Sequence, residues 1–409
     1  MTLTDFLALT ISLAAFATFV NHRFLHLPPT IALMAMALAG SLVVLGLIRF
    51  TSFDARNVVD LVGMIDFRMV LLDGILPFLL FAGALHVDMR RLRDQRLAIV
   101  LLATVGVVIA AGVCGALVWA AALALNAPLT FPQALLFGAL IAPTDPIAVI
   151  GILRGAKAPE SLEALMSGES LVNDGVGVVL FVALVGIVVG GEPASATQIA
   201  GEFAIEAIGG VAFGLLVGWV GYLLLREVDD YPVEIFVTLA LAAGSYAAAN
   251  ALHMSGALAV VAAGLVVASV GRQRGMSEVT RGQLDSFWEI VDEMLNAILF
   301  MLVGLEILVV ALDYRYLGLA LTAIGAVLVS RWVSVGMVLQ ATGGSKRYAR
   351  GTLAVLTWGG LRGAISIALV LSLPSGELRA TLLTMTYAVV VFSLLVQGLT
   401  LGKLVRATR

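Results

Sequence analysis

Apolar stretches follow one another along almost the whole chain, each close to the roughly 20 residues an α-helix needs to cross the roughly 30 Å hydrocarbon core of a bilayer. Counting them gives thirteen spans, at residues 3–20, 30–48, 69–87, 97–125, 131–153, 162–189, 199–225, 233–252, 256–270, 284–312, 317–340, 351–373 and 378–401. The segment 57–66 mixes apolar residues with Asp60 and Asp66 and is expected in a loop. The fold class is therefore an all-α integral membrane protein. Composition agrees: 61% of the 409 residues are hydrophobic and 12% charged, against about 25% charged in a soluble domain, which excludes an ordinary soluble enzyme. Cys114 has no second cysteine to pair with, and a net charge of −3 offers no basic stripe for nucleic acid.

The distribution of Lys and Arg sets the expected orientation. Seventeen of the 24 basic residues fall on one side of the thirteen spans and five on the other. That bias puts the N-terminus outside and the C-terminus in the cytoplasm, as an odd number of spans requires. The first segment lacks a basic leader and a small-residue cleavage site, so it is expected to be a retained helix. No linker or additional soluble domain is expected. The remaining two basic residues, Arg331 and Arg362, lie inside spans.

Two spans are interrupted. Span five carries Pro143-Thr144-Asp145-Pro146, where two prolines remove backbone donors and push the preceding residues out of helical geometry. Span twelve carries Gly359, Gly360 and Gly363 around Arg362. The breaks stand seven spans apart, so they run in opposite directions through the membrane. Spans 1–6 and 8–13 thus read as inverted-topology repeats, and paired discontinuous helices in such repeats point to a transport site at the midplane.

The chemistry lies just after the first break, where Glu169, Ser170, Asn173 and Asp174 occupy an otherwise apolar span. At 100° per residue Ser170 and Asp174 share a helical face with Asn173 beside them, while Glu169 points about 140° from Asp174. The two acids are expected to do different work. An ionised carboxylate at bilayer depth costs at least about 2.5–3.5 kcal/mol, so it persists where it is paired or functional. Arg362 sits at the second break, where freed carbonyls concentrate negative potential, and Glu169 is expected to pair with it across spans six and twelve. Asp174 then has no designated positive partner. It can take a proton or a small hard cation, with oxygens of Ser170 and Thr144, the Asn173 amide and freed carbonyls completing the coordination. Competition between the two at one site, with alternating access, suffices for antiport. Asp145, grouped with these residues, is expected to neutralise the positive helix ends at the break rather than carry the ion.

These residues resemble a known family. Ala142-Pro143-Thr144-Asp145-Pro146, Gly168-Glu169-Ser170-Leu171-Val172-Asn173-Asp174 and Trp358-Gly359-Gly360-Leu361-Arg362-Gly363-Ala364 are similar to the three core motifs of the sodium/proton exchanger branch of the monovalent cation:proton antiporters, the NhaP-type proteins. The resemblance extends to residues 76–85 and 287–293 and so covers nearly the whole chain. It implies a core bundle, about 97–190 and 315–402, that moves against a dimerisation part, about 1–90 and 199–312. It also implies Asp174 as ion and proton carrier, Thr144 and Ser170 as ligand neighbours, Glu169 with Arg362 as a structural ion pair, and a homodimer in lipid. The Asn173-Asp174 pair resembles the electroneutral branch, one proton per cation. Where some relatives carry a glutamate in the third span this chain has Ala82, so no ligand is expected from that position. A bacterial inner-membrane protein fits best, with Na⁺, Li⁺ or K⁺ as the cation and no cofactor.

Other features carry less. Glu289, Asp292, Glu293 and Glu306, with Trp288, either line a cytoplasmic entrance or sit at an interface. Arg331 has no assigned partner. His22, His26, His86 and His253 show no metal-ligand spacing. Gly210, Gly214 and Gly218 form a small-residue stripe of the kind that packs helices. No nucleophile elbow or HExxH motif supports a hydrolase. A structural scaffold has no use for acids at bilayer depth, and a cation channel is the runner-up to the exchanger.

Overall fold

The computed structural model describes residues 3–50, 66–87, 89–190, 196–271, 276–308, 314–344, 348–349 and 351–408. All of the expected loop at 57–66 except Asp66 lies outside them, as does the end of expected span ten beyond residue 308. Among the described residues there is no strand, and the helices fall into consecutive stretches at the expected places. These are α1 (Leu3–Val20), α2 (Pro29–Phe50), α3 (Met69–Leu85), α4 (Met89–Leu101, continuing through Val107–Ala124) and a broken α5 (α5a, Phe131–Leu140; α5b, Pro146–Gly155). They continue with α6 (Glu160–Gly190), α7 (Ala196–Glu227), α8 (Tyr231–Ala251), α9 (Gly256–Gly271), α10 (Glu278–Glu306) and α11 (Leu317–Ala341). A broken α12 (α12a, Thr352–Trp358; α12b, Ala364–Leu371) and α13 (Glu377–Ala407) complete the set. Among the described residues eight helical stretches are long and apolar enough to cross a membrane, and α3, α5a and α9 are shorter apolar helices.

The helix starts follow from local sequence. Thr130 and Gln133 close a capping box at α5a, Gln133 Oε1 accepting from Thr130 N at 2.9 Å. Asp230, Ser255 and Ser277 cap α8, α9 and α10 by accepting backbone N–H groups three residues on. Polarity runs opposite to a soluble protein. Phe16, Leu216 and Phe236 are 67%, 61% and 73% exposed, whereas Glu169, Asn173 and Arg362 are buried. A solvent of lipid tails gives apolar side chains no reason to leave the surface, and leaves the interior as the place where polar groups find partners.

Several helix pairs pack closely. Helix α4 packs on α5a and α11, α6 on α4 and α5a, and α11 on α12a and α13; α9 packs on α3, α7 and α8, and α10 on α2 and α3. The glycine stripe of α7 is one of these contacts. A Cβ built on Gly214 would lie 2.2 Å from the Ala259 carbonyl oxygen, and one on Gly218 would lie 2.8 Å from Ala263 Cα. Only glycine lets α7 and α9 approach this closely, which resolves the stripe as helix packing. Gly214→Val is accordingly expected to force the helices apart and cost about 1–3 kcal/mol. Its check is the thermal midpoint of the detergent-solubilised protein, which should fall below that of Gly244→Val, where a Cβ meets nothing within 4 Å.

Candidate ion-binding site

A broken helix frees backbone groups that lipid cannot satisfy, so the first question is where those of α5 and α12 go. They go largely to each other. Asp145 N donates to the Leu361 carbonyl at 2.8 Å. The Arg362 guanidinium donates through one nitrogen to the carbonyls of Ala142 and Pro143, at 3.0 Å for Pro143. Helix α13 supplies two further partners: Ser393 Oγ accepts from Arg362 N at 2.9 Å, and Gln397 Nε2 donates to the Trp358 carbonyl at 2.9 Å. Ser393 and Gln397 lie in a π-helical segment, Ser393–Gly398, whose wider turn brings both side chains into the buried interior beside the break.

The two arginines are thereby separated by task, which corrects one expectation. Glu169 does not pair with Arg362. Its carboxylate receives both terminal nitrogens of Arg331, with Nη2 to Oε2 at 2.8 Å and Nη1 to Oε1, and Arg331 Nε donates to the Leu356 carbonyl at 3.3 Å. The guanidinium lies over Gly360, where a Cβ would meet Arg331 Nε at 2.7 Å. The fork of a guanidinium matches a carboxylate bidentately, and with both side chains buried the pair ties α6 to α11. Arg362 instead caps the C-terminal end left by α5a, as the carbonyl potential at a break suggested. Arg362→Leu would leave the Ala142 and Pro143 carbonyls without this donor, at about 1–3 kcal/mol for each buried group left unsatisfied. A lowered thermal midpoint for that variant, measured in detergent, is the expected result.

Between the breaks, α6 presents the expected cluster. Asn173 Nδ2 donates to Thr144 Oγ1 at 2.8 Å, Thr144 N donates to Asn173 Oδ1 at 3.4 Å, and the Thr144 and Ser170 hydroxyls are 2.9 Å apart. This network locks α6 to the residue between Pro143 and Asp145. Asp174 stands one residue beyond it, 5% exposed, and its Oδ1 has no hydrogen-bond partner among the described residues. Asp174, Thr144 and Asp145 line a cavity of about 80 Å³. Asp145 is half-buried, and its Oδ2 lies 3.0 Å from where a Cβ on Gly363 would stand, so its carboxylate sits at the N-terminal end of α12b. That position is at the positive end of the helix dipole. The Ser170, Asn173 and Thr144 oxygens are committed chiefly to one another, while Asp174, with one oxygen uncommitted, lines a space large enough for an ion or a water.

A second cavity, of about 480 Å³, adjoins the first and shares Gly83, Leu171 and Asn296 with it. Glu289, Asp292 and Glu293 line it together with Arg154 and His86. The acids of span ten thus border a vestibule, whereas Trp288 is fully buried and donates through Nε1 to Thr238 Oγ1 at 3.1 Å. Glu306 lies far along the same helix, buried. Sequence reasoning missed Asn296 and Ser366, both of which line the Asp174 cavity. Asn296 follows Asp292 by one helical turn, a spacing that would have carried it to the same cavity.

Comparison with known proteins follows the same lines. The family model described as "Sodium/hydrogen exchanger, transmembrane" matches residues 10–407. The chain is 46% identical over 408 residues to the Na⁺/H⁺ antiporter NhaP of Pseudomonas aeruginosa, covering 98% of this chain and 96% of that one. It is 38% identical over 344 residues to the Na⁺/H⁺ antiporter NhaH of Halobacillus aidingensis, with 83% of each chain covered. The structure of the sodium proton antiporter MjNhaP1 from Methanocaldococcus jannaschii at pH 8 superposes with a TM-score of 0.77 over 99% of this chain and 98% of that chain, at 17% identity, and so shares the fold.

Proposed function

Because the chain belongs to the sodium/hydrogen exchanger family, we propose that it is a secondary active transporter exchanging Na⁺ for H⁺ at Asp174. The observation that carries this reading is buried Asp174, one oxygen of which has no hydrogen-bond partner among the described residues, on a cavity between two broken helices. A carboxylate there binds a proton or a cation, never both, and one site visited in turn by each couples their flows when access alternates. Deprotonated Asp174 takes Na⁺ from one face, the core shifts, the ion leaves, and a proton occupies the same carboxylate for the return. Thr144 and Ser170 neighbour the ion, and Asn173 holds the loop that presents Thr144. Substitution of one H⁺ for one Na⁺ makes the exchange electroneutral, with Li⁺ and K⁺ as the other cations to be compared.

The remainder of the reading rests on the same geometry. All thirteen helical stretches cross the bacterial inner membrane, with the N-terminus outside and the C-terminus cytoplasmic, and the mutual capping of α5 and α12 supports inverted repeats. The group containing α4, α5, α6 and α11–α13 is the moving core, and the group containing α1–α3 and α7–α10 forms the dimerisation part of a homodimer. The acid-lined vestibule then faces the cytoplasm and concentrates cations before the site.

The test is reconstitution of the purified protein in liposomes with a preset pH gradient, followed by addition of Na⁺, Li⁺ or K⁺. Saturable collapse of the gradient by Na⁺, unchanged when the membrane potential is clamped, is expected. A gradient untouched by any of the three cations would overturn the proposal, and flux that never saturates would indicate a channel.

A further inference from the structure

Asp174 Oδ1 is one of three uncommitted oxygens at its cavity. Asn296, on α10, and Ser366, on α12b, also line that cavity; they are 3% and 1% exposed, and Asn296 Oδ1 and Ser366 Oγ have no hydrogen-bond partner among the described residues. The orientation of the Asn296 amide follows from its nitrogen, which donates to Asp292 through the main-chain carbonyl at 2.7 Å and Oδ1 at 3.2 Å. With the nitrogen committed to Asp292, the amide oxygen is the uncommitted atom of Asn296. Three residues from three helices, each with an uncommitted oxygen, a carboxylate, an amide and a hydroxyl, therefore line one small space.

The donor count of this triplet does not close. Asp174 Oδ1, when ionised, and Asn296 Oδ1 only accept, and the single Ser366 hydroxyl hydrogen, itself without a partner, could serve at most one of them. Burying the other without a partner is costly. Two occupants remove the deficit: a proton on Asp174, whose O–H then donates to a neighbouring oxygen, or a hard monovalent cation, for which carboxylate, amide and hydroxyl oxygens are suitable ligands. We propose that Asn296 Oδ1 and Ser366 Oγ are ligands of the transported Na⁺, joining Asp174 Oδ1 from helices outside the Thr144–Ser170–Asn173 network. Asn296 also borders the vestibule, so it is the residue by which an ion passes from the acidic cavity to the site. This inference rests on the exchange reading above.

The experiment measures Na⁺-driven collapse of a pH gradient across a range of Na⁺ concentrations, in liposomes carrying wild type, Asn296→Ala, Ser366→Ala or Ser366→Cys. Loss of an oxygen ligand to a charged ion is expected to raise the KM for Na⁺ about tenfold or more, with the maximal rate largely retained. Ser366→Cys preserves volume and substitutes a soft sulfur that serves Na⁺ poorly, so it is expected to raise KM as alanine does with little risk to folding. Ser366→Thr keeps an oxygen in place and is expected to stay near the wild-type KM. A KM unchanged in Asn296→Ala and Ser366→Cys, with normal transport by wild type, would overturn the ligand assignment and leave the exchanger reading standing. A fall in maximal rate at constant KM would assign both residues to structure and equally overturn it. Absence of Na⁺-driven exchange in wild type would instead overturn the exchanger reading itself.

Discussion

Liposomes carrying Asp174→Asn are expected to hold a pH gradient intact when Na⁺ is added, at every Na⁺ concentration and every pH tested. The substitution is isosteric, and Asp174 Oδ1 takes no part in the Thr144–Ser170–Asn173 network or in the capping of the two breaks. The variant should therefore fold and elute as wild type does. What it loses is a full negative charge at a site where water is largely excluded. Attraction between unit charges about 4 Å apart is of order 4 kcal/mol at the effective dielectric near a protein surface, or almost a thousandfold in ion affinity. An amide also titrates nowhere near neutral pH, so the return step has no proton carrier. The loss is thus of turnover itself, and added Na⁺ does not recover it. This separates Asp174 from Asn296 and Ser366, whose loss leaves a carrier that works at higher Na⁺. Undiminished exchange by Asp174→Asn would remove Asp174 from the mechanism.

The second large effect concerns stability. Removing either member of the Glu169–Arg331 pair strands a buried charge, and breaking such a pair from one side costs about 3–5 kcal/mol. Glu169→Gln and Arg331→Leu are each expected to lower the thermal midpoint in detergent sharply and to reduce the yield of monodisperse protein. The double variant should be hurt much less than the two single effects added together, because no charge is left unpaired. Combining Glu169→Gln with Arg362→Leu should instead give nearly additive losses, since Arg362 serves the Ala142 and Pro143 carbonyls. Additivity for Glu169 with Arg331, or strong coupling of Glu169 with Arg362, would reinstate the pairing that sequence spacing suggested.

That reversal marks where sequence reasoning stopped. Apolar run length is a one-dimensional property, and it located the helices, α3 and α9 included, because lipid demands internally bonded segments of a set length. The breaks were equally legible, since proline and clustered glycine act on the backbone where they stand. The grouping of Ser170, Asn173 and Asp174 followed from helical periodicity, and the structure brings Thr144 to Ser170 and Asn173 as the motif implied. Which acid meets which base is another matter. Glu169 and Arg331 are 162 positions apart, and nothing in the residues around Arg331 distinguishes it from Arg362 as a partner. The choice depends on how α11 sits against α6.

Asn296 and Ser366 were invisible for the same reason. Each is an ordinary small polar residue in a membrane helix until the fold places it on the Asp174 cavity with an oxygen left over. Likewise the acids of α10 were equally compatible with an entrance or an interface, and packing against α2 and α3 turned Glu289, Asp292 and Glu293 toward a cavity. The sequence alone determined that this is a helical membrane protein with two broken helices and a charged centre beside the first break, because chain length against bilayer thickness, proline, glycine and helical period are all local. Only the tertiary structure decided which side chains complete that centre. Pairing, burial and the balance of donors and acceptors are properties of surfaces that meet from distant parts of the chain.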